Sequence, residues 1–259
     1  MQRKIGAVMA VALAVLMVSP ALGDLTVGVG QSSEPWLGYM NVFNLPAPDG
    51  DGAFQFGSPW GVPDLVATFD DPNNKLTLSP NTIGDPNEYW YQDPTGGGDP
   101  NPGGPGAPGN KIMDANLYRE FPGGEYAGVT VTFTGEVLAN TVSNSHSVTA
   151  FIRDFAPDYS SFIDSTTNLA SGSTGPFSIS LTTDAGANRH VQYGFNFNGP
   201  CVWIDDAPAF GNVQLSVDTG FIPDAVNTDL DLDTGTVVSW DAQLGVNYQV
   251  EYSDDFGAN

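Results

Sequence analysis

The 259-residue sequence is strongly acidic, with 30 aspartate and glutamate residues against seven lysine and arginine residues and a formal net charge of −23. Such a surface repels phosphate backbones and anionic lipid headgroups, because proteins bind both through lysine and arginine, and nucleic acid is therefore not expected as a partner. The single cysteine, Cys201, precludes an internal disulfide, and its apolar neighbours predict a buried side chain.

A secretory signal peptide is predicted for residues 1–23. Arg3 and Lys4 form a basic start, residues 5–18 are apolar, and small residues precede a predicted cleavage before Asp24. The alternative is a membrane anchor, but the apolar run is shorter than the roughly 20 residues that span a bilayer, and a proline ends it. We therefore expect a secreted or cell-surface protein whose mature chain does not insert into a membrane.

Alternating apolar and polar residues dominate the chain after the signal and predict β-strands. In residues 129–134, valine and phenylalanine alternate with threonine, so one face of the strand is buried and the other is wet. The same period recurs between clusters of glycine, proline, asparagine and aspartate, whereas helical periodicity is almost absent. The strands predicted in this way contain residues 25–29, 36–43, 65–69, 75–78, 148–152, 177–181, 191–197 and 213–217.

Many short strands without crossover helices predict an all-β protein. The fold expected for residues 24–218 is an antiparallel, jelly-roll-like β-sandwich, whose strand order periodicity does not supply. Residues 93–110 are rich in glycine and proline and are predicted to form a surface loop. A linker is predicted at residues 219–229, and a further β module at residues 230–259.

The C-terminal residues predict a β-hairpin from an incomplete second module. The pattern Trp240, Gly245, Tyr248, Val250 and Tyr252, followed by Ser-Asp-Asp, resembles the hairpin of fibronectin-type-III-like modules near the C-termini of secreted planctomycete and verrucomicrobial proteins. This resemblance covers about thirty residues, whereas a complete sandwich of that kind takes roughly 90 to 100. Two alternatives stay open: the sequence is a fragment of a longer protein, or the hairpin packs onto the main domain.

The larger part of the chain, residues 24–218, looks like the lectin and carbohydrate-binding-module sandwiches that the same bacteria export. This likeness rests on architecture and composition, and it implies an extracellular polysaccharide as the ligand. A fold alone does not fix a function, so the ligand has to be argued from individual side chains.

An aromatic cluster is the strongest candidate for ligand binding. Tyr89, Trp90 and Tyr91, followed by Gln92, place three rings among hydrogen-bonding groups beside the glycine-rich stretch. Flat rings stack on the apolar faces of sugar rings while neighbouring polar groups bind the hydroxyls. The alternative is that some of these rings belong to the core. Trp60 joins the predicted site because its Ser-Pro-Trp-Gly context predicts a turn, on which an aromatic ring is often exposed.

Calcium is the cofactor that the sequence could best hold, because oxygen ligands are abundant near the glycine-rich stretch. Asp85, Asn87 and Glu88 precede it, and Asp114 and Asn116 follow it. A cation shared between the two flanks would close the loop and offset the repulsion between the carboxylates. The alternative is that these residues are ordinary solvated turn residues.

No catalytic residue is predicted. The two histidines, His146 and His190, lack the spacing of zinc ligands, and His146 lies in a polar stretch that predicts exposure. No nucleophile elbow or phosphate-binding loop is present in the sequence. We therefore expect a non-catalytic binding module for polysaccharide. A structural or adhesive protein of the cell surface or matrix is the first alternative, and a glycosidase or lyase built on paired carboxylates is the second.

Overall fold

Alternating side chains build two β-sheets in the part of the chain that the computed structural model describes, residues 24–83, 88–91, 105–121 and 123–218. The chain divides into two compact units, Met1–Phe221 and Ile222–Asn259, and every described residue belongs to the first. The strands are β1 (Leu25–Val27), β2 (Leu37–Asn44), β3 (Phe54–Trp60), β4 (Ala67–Asp70), β5 (Lys75–Leu78), β6 (Pro108–Phe121), β7 (Thr130–Asn140), β8 (Ser147–Phe155), β9 (Phe162–Asn168), β10 (Gly175–Thr182), β11 (His190–Val202) and β12 (Val213–Ser216).

Helical structure is sparse. One turn of α-helix, α1 (Glu88–Tyr91), and three short 3₁₀ segments, Pro63–Leu65, Asp71–Asn73 and Ile204–Phe210, complete the secondary structure of the described residues. None of these helices is long and apolar enough to cross a membrane. The predicted signal peptide, linker and C-terminal hairpin lie outside the described residues.

The first sheet, sheet A, is organised around β7. Strand β10 pairs with one edge of β7, and β1 and β12 share the other edge, at its beginning and its end respectively. From β12 the sheet continues through β5 to β4. All pairings in sheet A are antiparallel except that of β1 with β7, which is parallel.

The second sheet, sheet B, has the order β3-β2-β6-β11-β8-β9, and every pairing in it is antiparallel. Buried apolar side chains from alternate positions of both sheets form one core. The predicted all-β sandwich is therefore confirmed. The structure adds the strand order and the parallel pairing of β1.

An aromatic cluster fills the centre of the core. Phe133 of β7 is fully buried, and its ring centroid lies 5.1 Å from that of Tyr193 and 5.3 Å from those of Phe177 and Phe195. Its contacts with Phe177 and Phe195 are edge-to-face, which aromatic pairs prefer over a face-to-face sandwich. The cluster joins β7 and β10 of sheet A to β11 of sheet B.

The alternation pattern misses β3, β6 and β9, and it places the start of β6 in a loop. Strand β3 contains Gly57 and Pro59, which strands disfavour, and tolerates them because it is an edge strand. Strand β9 is also an edge strand and leaves side chains of both faces exposed. Strand β6 begins at Pro108, inside the predicted loop, because Gly109 lets two strands approach: a Cβ there would meet the carbonyl oxygen of Cys201 at 1.9 Å. Cys201 itself is buried, as predicted.

A buried ion pair ties β8 to the residues before β11. The Asp154 side chain is fully buried, and its Oδ1 accepts a hydrogen bond of 2.8 Å from Arg189 Nε. Its Oδ2 accepts another of 2.8 Å from the backbone N–H of Asp184. Arg189 Nη2 also donates to the backbone carbonyl of Asp154 at 2.8 Å. The carboxylate is thus compensated by one guanidinium and one amide.

Buried tyrosines make the fold sensitive to alkali. Burial raises the pKa values of Tyr193 and Tyr126 above their ordinary value near 10. A raised native pKa means that stability is complete below pH 10, the pKa in the unfolded chain, and is lost as the pH rises through the native value. We expect the urea midpoint of unfolding to fall between pH 9 and pH 11.

Tyr193→Phe provides the control for this pH dependence, because phenylalanine keeps the ring and removes the ionisable hydroxyl. The variant should lose less stability between pH 9 and pH 11 than the unchanged protein does. Urea unfolding followed by tryptophan fluorescence at both pH values measures the difference. A midpoint that does not change with pH would contradict the prediction.

Candidate ligand-binding groove

Trp60 is the last residue of β3 and faces the interior side of sheet B. It pairs with Gly38 of β2, and the space above that glycine is filled by the Trp60 backbone and Leu65. Its indole Nε1 donates a hydrogen bond of 3.0 Å to Ser58 Oγ, which fixes the ring orientation. The turn predicted at residues 58–61 is thus wrong for Trp60, which ends an edge strand and is partly buried.

Tyr89 and Trp90 lie on the helical turn α1 and meet Trp60 through an aromatic cluster. The ring centroids of Trp90 and Trp60 are 6.3 Å apart at an interplanar angle of 85°, and those of Trp90 and Tyr89 are 5.0 Å apart. The ring centroid of Phe56 of β3 lies 6.2 Å from that of Tyr89 and from that of Trp90. Trp90 packs against the core, as the core alternative anticipated for some of these rings. The structure therefore brings together Trp60, Tyr89 and Trp90.

A buried lysine supports the Tyr89 ring. Lys111 Nζ lies 4.9 Å from the centroid of that ring and donates a hydrogen bond of 3.0 Å to Asn110 Oδ1. Only 5% of Lys111 is exposed, and its burial lowers the pKa of the ammonium group, whereas Asp51 raises it. The cation over the ring face fixes α1 on the start of β6.

Beside this cluster an open groove of about 500 Å³ lies at the end of β3 and around the following 3₁₀ turn. Its volume is within the range of roughly 300–1,000 Å³ that is usual for small-molecule sites. The lining residues combine one tryptophan and several aliphatic residues with an aspartate and a threonine. The lining residues are Pro59, Trp60, Gly61, Pro63, Asp64, Val66, Thr82 and Ile83.

Hydrogen bonds fix the polar wall of the groove. Asp64 Oδ2 accepts the N–H of Gly61 at 3.2 Å, and the carbonyl oxygen of Asp64 accepts Asn81 Nδ2 at 3.1 Å. Asn81 is only 2% exposed, and its Oδ1 accepts no hydrogen bond within the described part of the chain. The next residue, Thr82, forms a bridge with Val202. The Asp64 carboxylate and the backbone of Thr82 are therefore held in place at the groove.

The backbone at Val66 is strained. Its φ of 54° and ψ of 37° lie in the left-handed region, which a β-branched residue rarely adopts. The strained residue closes the 3₁₀ turn by donating its N–H to the carbonyl of Pro63 at 3.0 Å. Strain of this kind concentrates at binding sites because it persists only where the surrounding structure imposes it.

Asp114 and Asn116, two predicted calcium ligands, lie on the outer face of β6. The Asp114 carboxylate accepts hydrogen bonds from the side-chain amides of Asn41 and Asn116, each at 3.4 Å, and from that of Asn196. Asn116 Oδ1 accepts Arg153 Nη1 at 2.8 Å. In the structure these two side chains are thus engaged by amide and guanidinium donors.

Several predicted site residues fall outside the described part of the chain. They are Asp85, Asn87, Gln92 and the side chains of Glu88 and Tyr91. Within the residues that are described, no three histidine, cysteine, aspartate or glutamate side chains are grouped so that they could hold a metal ion. Calcium binding between the two flanks therefore stays a prediction.

His146 is buried, which corrects the prediction of an exposed side chain. It is 8% exposed, its ring packs against Phe197 and Phe210, and its Nε2 lies 3.0 Å from the carbonyl oxygen of Pro200. Burial lowers the pKa of the imidazole. The polar sequence around His146 concealed this burial, because the ring fills the space left by the missing side chain of Gly199.

Comparison of the chain with protein-family models, with curated proteins and with solved structures gives no match. The resemblances to carbohydrate-binding sandwiches and to fibronectin-type-III-like modules therefore stay predictions.

Proposed function

We propose that this protein is a secreted, non-catalytic module that binds extracellular polysaccharide, and that the groove beside Trp60 receives sugar rings. One observation carries the proposal: Trp60, an aromatic residue, lines the same open groove as Asp64 and Thr82, which carry a carboxylate and a hydroxyl. This combination matches the two sides of a sugar, an apolar C–H face and a rim of hydroxyl groups.

The surroundings of the groove favour a rigid site. Trp90 buttresses Trp60 edge-on, and Ser58 holds its indole nitrogen, so little side-chain entropy is left to lose on binding. Asp64 accepts hydroxyl donors with a charge-assisted hydrogen bond, which is about twice as strong as a neutral one. Because the chain has a large net negative charge, it does not attract polyanions. A hydroxyl-rich ligand is therefore favoured over a phosphorylated one.

Trp60→Ala is expected to weaken polysaccharide binding by about thirtyfold, because truncating a central aromatic contact costs about 2 kcal/mol or more. Asp64→Asn keeps the shape of the side chain and should weaken binding less, because it removes only the charge. Affinity gel electrophoresis against a panel of soluble polysaccharides measures the dissociation constants.

Phe54→Ala is the matched control. Phe54 lies on the same strand, is 58% exposed and does not line the groove, so its truncation should leave binding unchanged. Trp60→Phe retains a stacking ring and should recover part of the lost affinity, while melting curves exclude unfolding. If no polysaccharide retards the protein, the proposal is wrong and the structural or adhesive function is favoured. Release of reducing ends or unsaturated sugars would instead indicate an enzyme.

A further inference from the structure

The outer face of sheet B carries a continuous row of polar side chains across neighbouring strands. The register places Tyr39 of β2 beside Asn116 of β6, Asn116 beside Asn196 of β11, and Asn196 beside Thr149 of β8. Directly paired residues of antiparallel strands point to the same side of a sheet. We call this surface the polar face; it comprises Tyr39, Asn41, Asp114, Asn116, Arg153 and Asn196.

Hydrogen bonds orient the polar face across four strands. Asn196 Nδ2 donates to Asn116 Oδ1 at 3.1 Å and also to the Asp114 carboxylate. Asn116, 4% exposed, donates to the backbone carbonyl of Asp114 at 3.0 Å. Asp114 and Asn196 remain partly exposed, so their remaining hydrogen-bonding capacity faces outward in fixed directions.

Arg153 lies over the ring of Phe151 within this face. Its guanidinium carbon lies 3.9 Å from the ring centroid of Phe151, a residue that is fully buried although it lies outside the main core. Burial lowers the pKa of Arg153, and the neighbouring carboxylates Asp114 and Asp164 counteract this effect. The stacking and the hydrogen bond to Asn116 leave Arg153 little freedom, so the face is ordered before any ligand arrives.

An exposed aromatic platform lies beside the polar face, where β8 turns into β9. Tyr159 is 48% exposed and Phe162 is 50% exposed. Both rings pack against Phe155, at centroid distances of 5.6 Å and 5.0 Å respectively. Arg153 connects the platform to the polar face, because its guanidinium lies 5.8 Å from the ring centroid of Phe162. Two large rings are thus held at the surface next to ordered polar groups.

Tyr159 is held in an unusual conformation. Its φ of 58° lies in the left-handed region, where glycine and asparagine are favoured. Its hydroxyl donates to Glu120 Oε1 at 3.0 Å, and its ring stacks on His190 at 4.4 Å and 26°. Burial together with the hydrogen bond to Glu120 raises the pKa of Tyr159 to about 12. The strained backbone therefore holds an exposed aromatic ring at a fixed place on the surface.

We propose that the polar face and the aromatic platform form a second binding site, for an internal stretch of an uncharged polysaccharide that runs across the strands. The surface crosses five strands, β2, β6, β11, β8 and β9, and at about 4.8 Å per strand it extends about 19 Å, much longer than one sugar ring. Its exposed rings offer stacking, and its amides and carboxylate offer partners for hydroxyl groups.

The charge balance selects against acidic glycans. Among the described residues of sheet B, this side carries three carboxylates, those of Asp114, Glu120 and Asp164, and one guanidinium, that of Arg153, which is already hydrogen-bonded to Asn116 and lies over the Phe151 ring. A uronate or sulfate group would therefore meet like charge. The site lies on the opposite side of sheet B from the indole of Trp60, so the inference does not depend on the groove.

Tyr159→Gly tests the proposal. Glycine adopts a φ of 58° without strain, so the variant should fold, while the loss of the ring should weaken binding by about tenfold or more. The full chain is compared with the variant by affinity electrophoresis in gels that contain mixed-linkage β-glucan, xyloglucan, galactomannan, alginate or polygalacturonate. Retardation is expected in at least one neutral gel, and none in the two acidic gels.

Ile163→Ala is the matched control, because Ile163 is the neighbour of Phe162, is 45% exposed and points to the other side of β9. It should bind as the unchanged protein does, whereas Phe162→Ala should be weakened like Tyr159→Gly. If Tyr159→Gly and Phe162→Ala bind normally while Trp60→Ala does not, the second site is refuted and the groove stands. If acidic gels retard the chain and neutral gels do not, the assignment to uncharged glycans is overturned.

Discussion

Arg189→Met is expected to lower the free energy of unfolding by about 3–5 kcal/mol, because it removes one partner of a buried ion pair. The Asp154 carboxylate is fully buried and would keep one described donor to its side chain, the N–H of Asp184. Methionine fills a similar volume to arginine. The loss of unfolding free energy is therefore due to the uncompensated charge of Asp154 and not to a cavity. Urea unfolding at neutral pH, followed by tryptophan fluorescence, measures the effect.

Lys75→Met supplies the comparison for the buried pair. Lys75 Nζ lies 3.6 Å from Asp70 Oδ2, but both side chains are about one third exposed, at 32% and 33%. Exposed pairs contribute about 1 kcal/mol or less, so this variant should unfold near the midpoint of the unchanged protein. Equal losses for Arg189→Met and Lys75→Met would refute the assignment of a strongly stabilising pair.

Phe133→Ala is expected to cost about 3–5 kcal/mol, the usual cost of truncating a fully buried phenylalanine. The ring contacts Tyr193, Phe177 and Phe195, so its removal opens a cavity at the junction of the two sheets. The surrounding rings are themselves packed and cannot collapse freely into the space. Thermal and urea unfolding should both show the loss.

Leu138→Ala is the matched control for Phe133→Ala. Leu138 lies on the same strand but is 44% exposed, and truncating such a surface residue changes stability by about 0.5 kcal/mol or less. A loss for Phe133→Ala that is no larger than that for Leu138→Ala would mean that the aromatic cluster does not hold the sheets together.

Alternation predicts strands well where one face is buried and one is wet. β7 and β11 have such faces, and both were found with the expected residues inward, such as Val131 and Tyr193. Alternation misses the edge strands β3 and β9, because they have no consistently buried face. It also misses the central strand β6, because the charged residues Lys111 and Arg119 occupy positions on its inner face. Alternation also cannot predict which strands pair with each other, since β12 pairs with residues more than 70 positions away.

The candidate groove was only partly accessible to sequence analysis. Of the residues that line it, Trp60 was predicted from its residue type, whereas Asp64 and Thr82 were not, because the fold and not the sequence brings them to the same groove. Their side chains carry no pattern that distinguishes them from ordinary turn residues.

Two residues of the polar face, Asp114 and Asn116, were predicted to be calcium ligands. Asp114 and Asn116 alternate with the buried Met113 and Ala115 on β6, which is not among the predicted strands. Their partner Asn196 lies 80 residues further along, and only the pairing of β6 with β11 reveals the amide network. Sequence spacing therefore favoured a local calcium site over a surface built from distant strands.

The position of β12 determines when this domain can finish folding. Strands β4 and β5 join β7 only through β12, so residues 67–78 cannot enter sheet A until residues 213–216 have been synthesised. Pairing β5 with β12 closes a long loop of chain, and this costs entropy before any contact offsets the cost. Folds that depend on such distant pairings form slowly. During synthesis the chain would therefore expose an incomplete sandwich until β12, the last strand of the described residues, has been made.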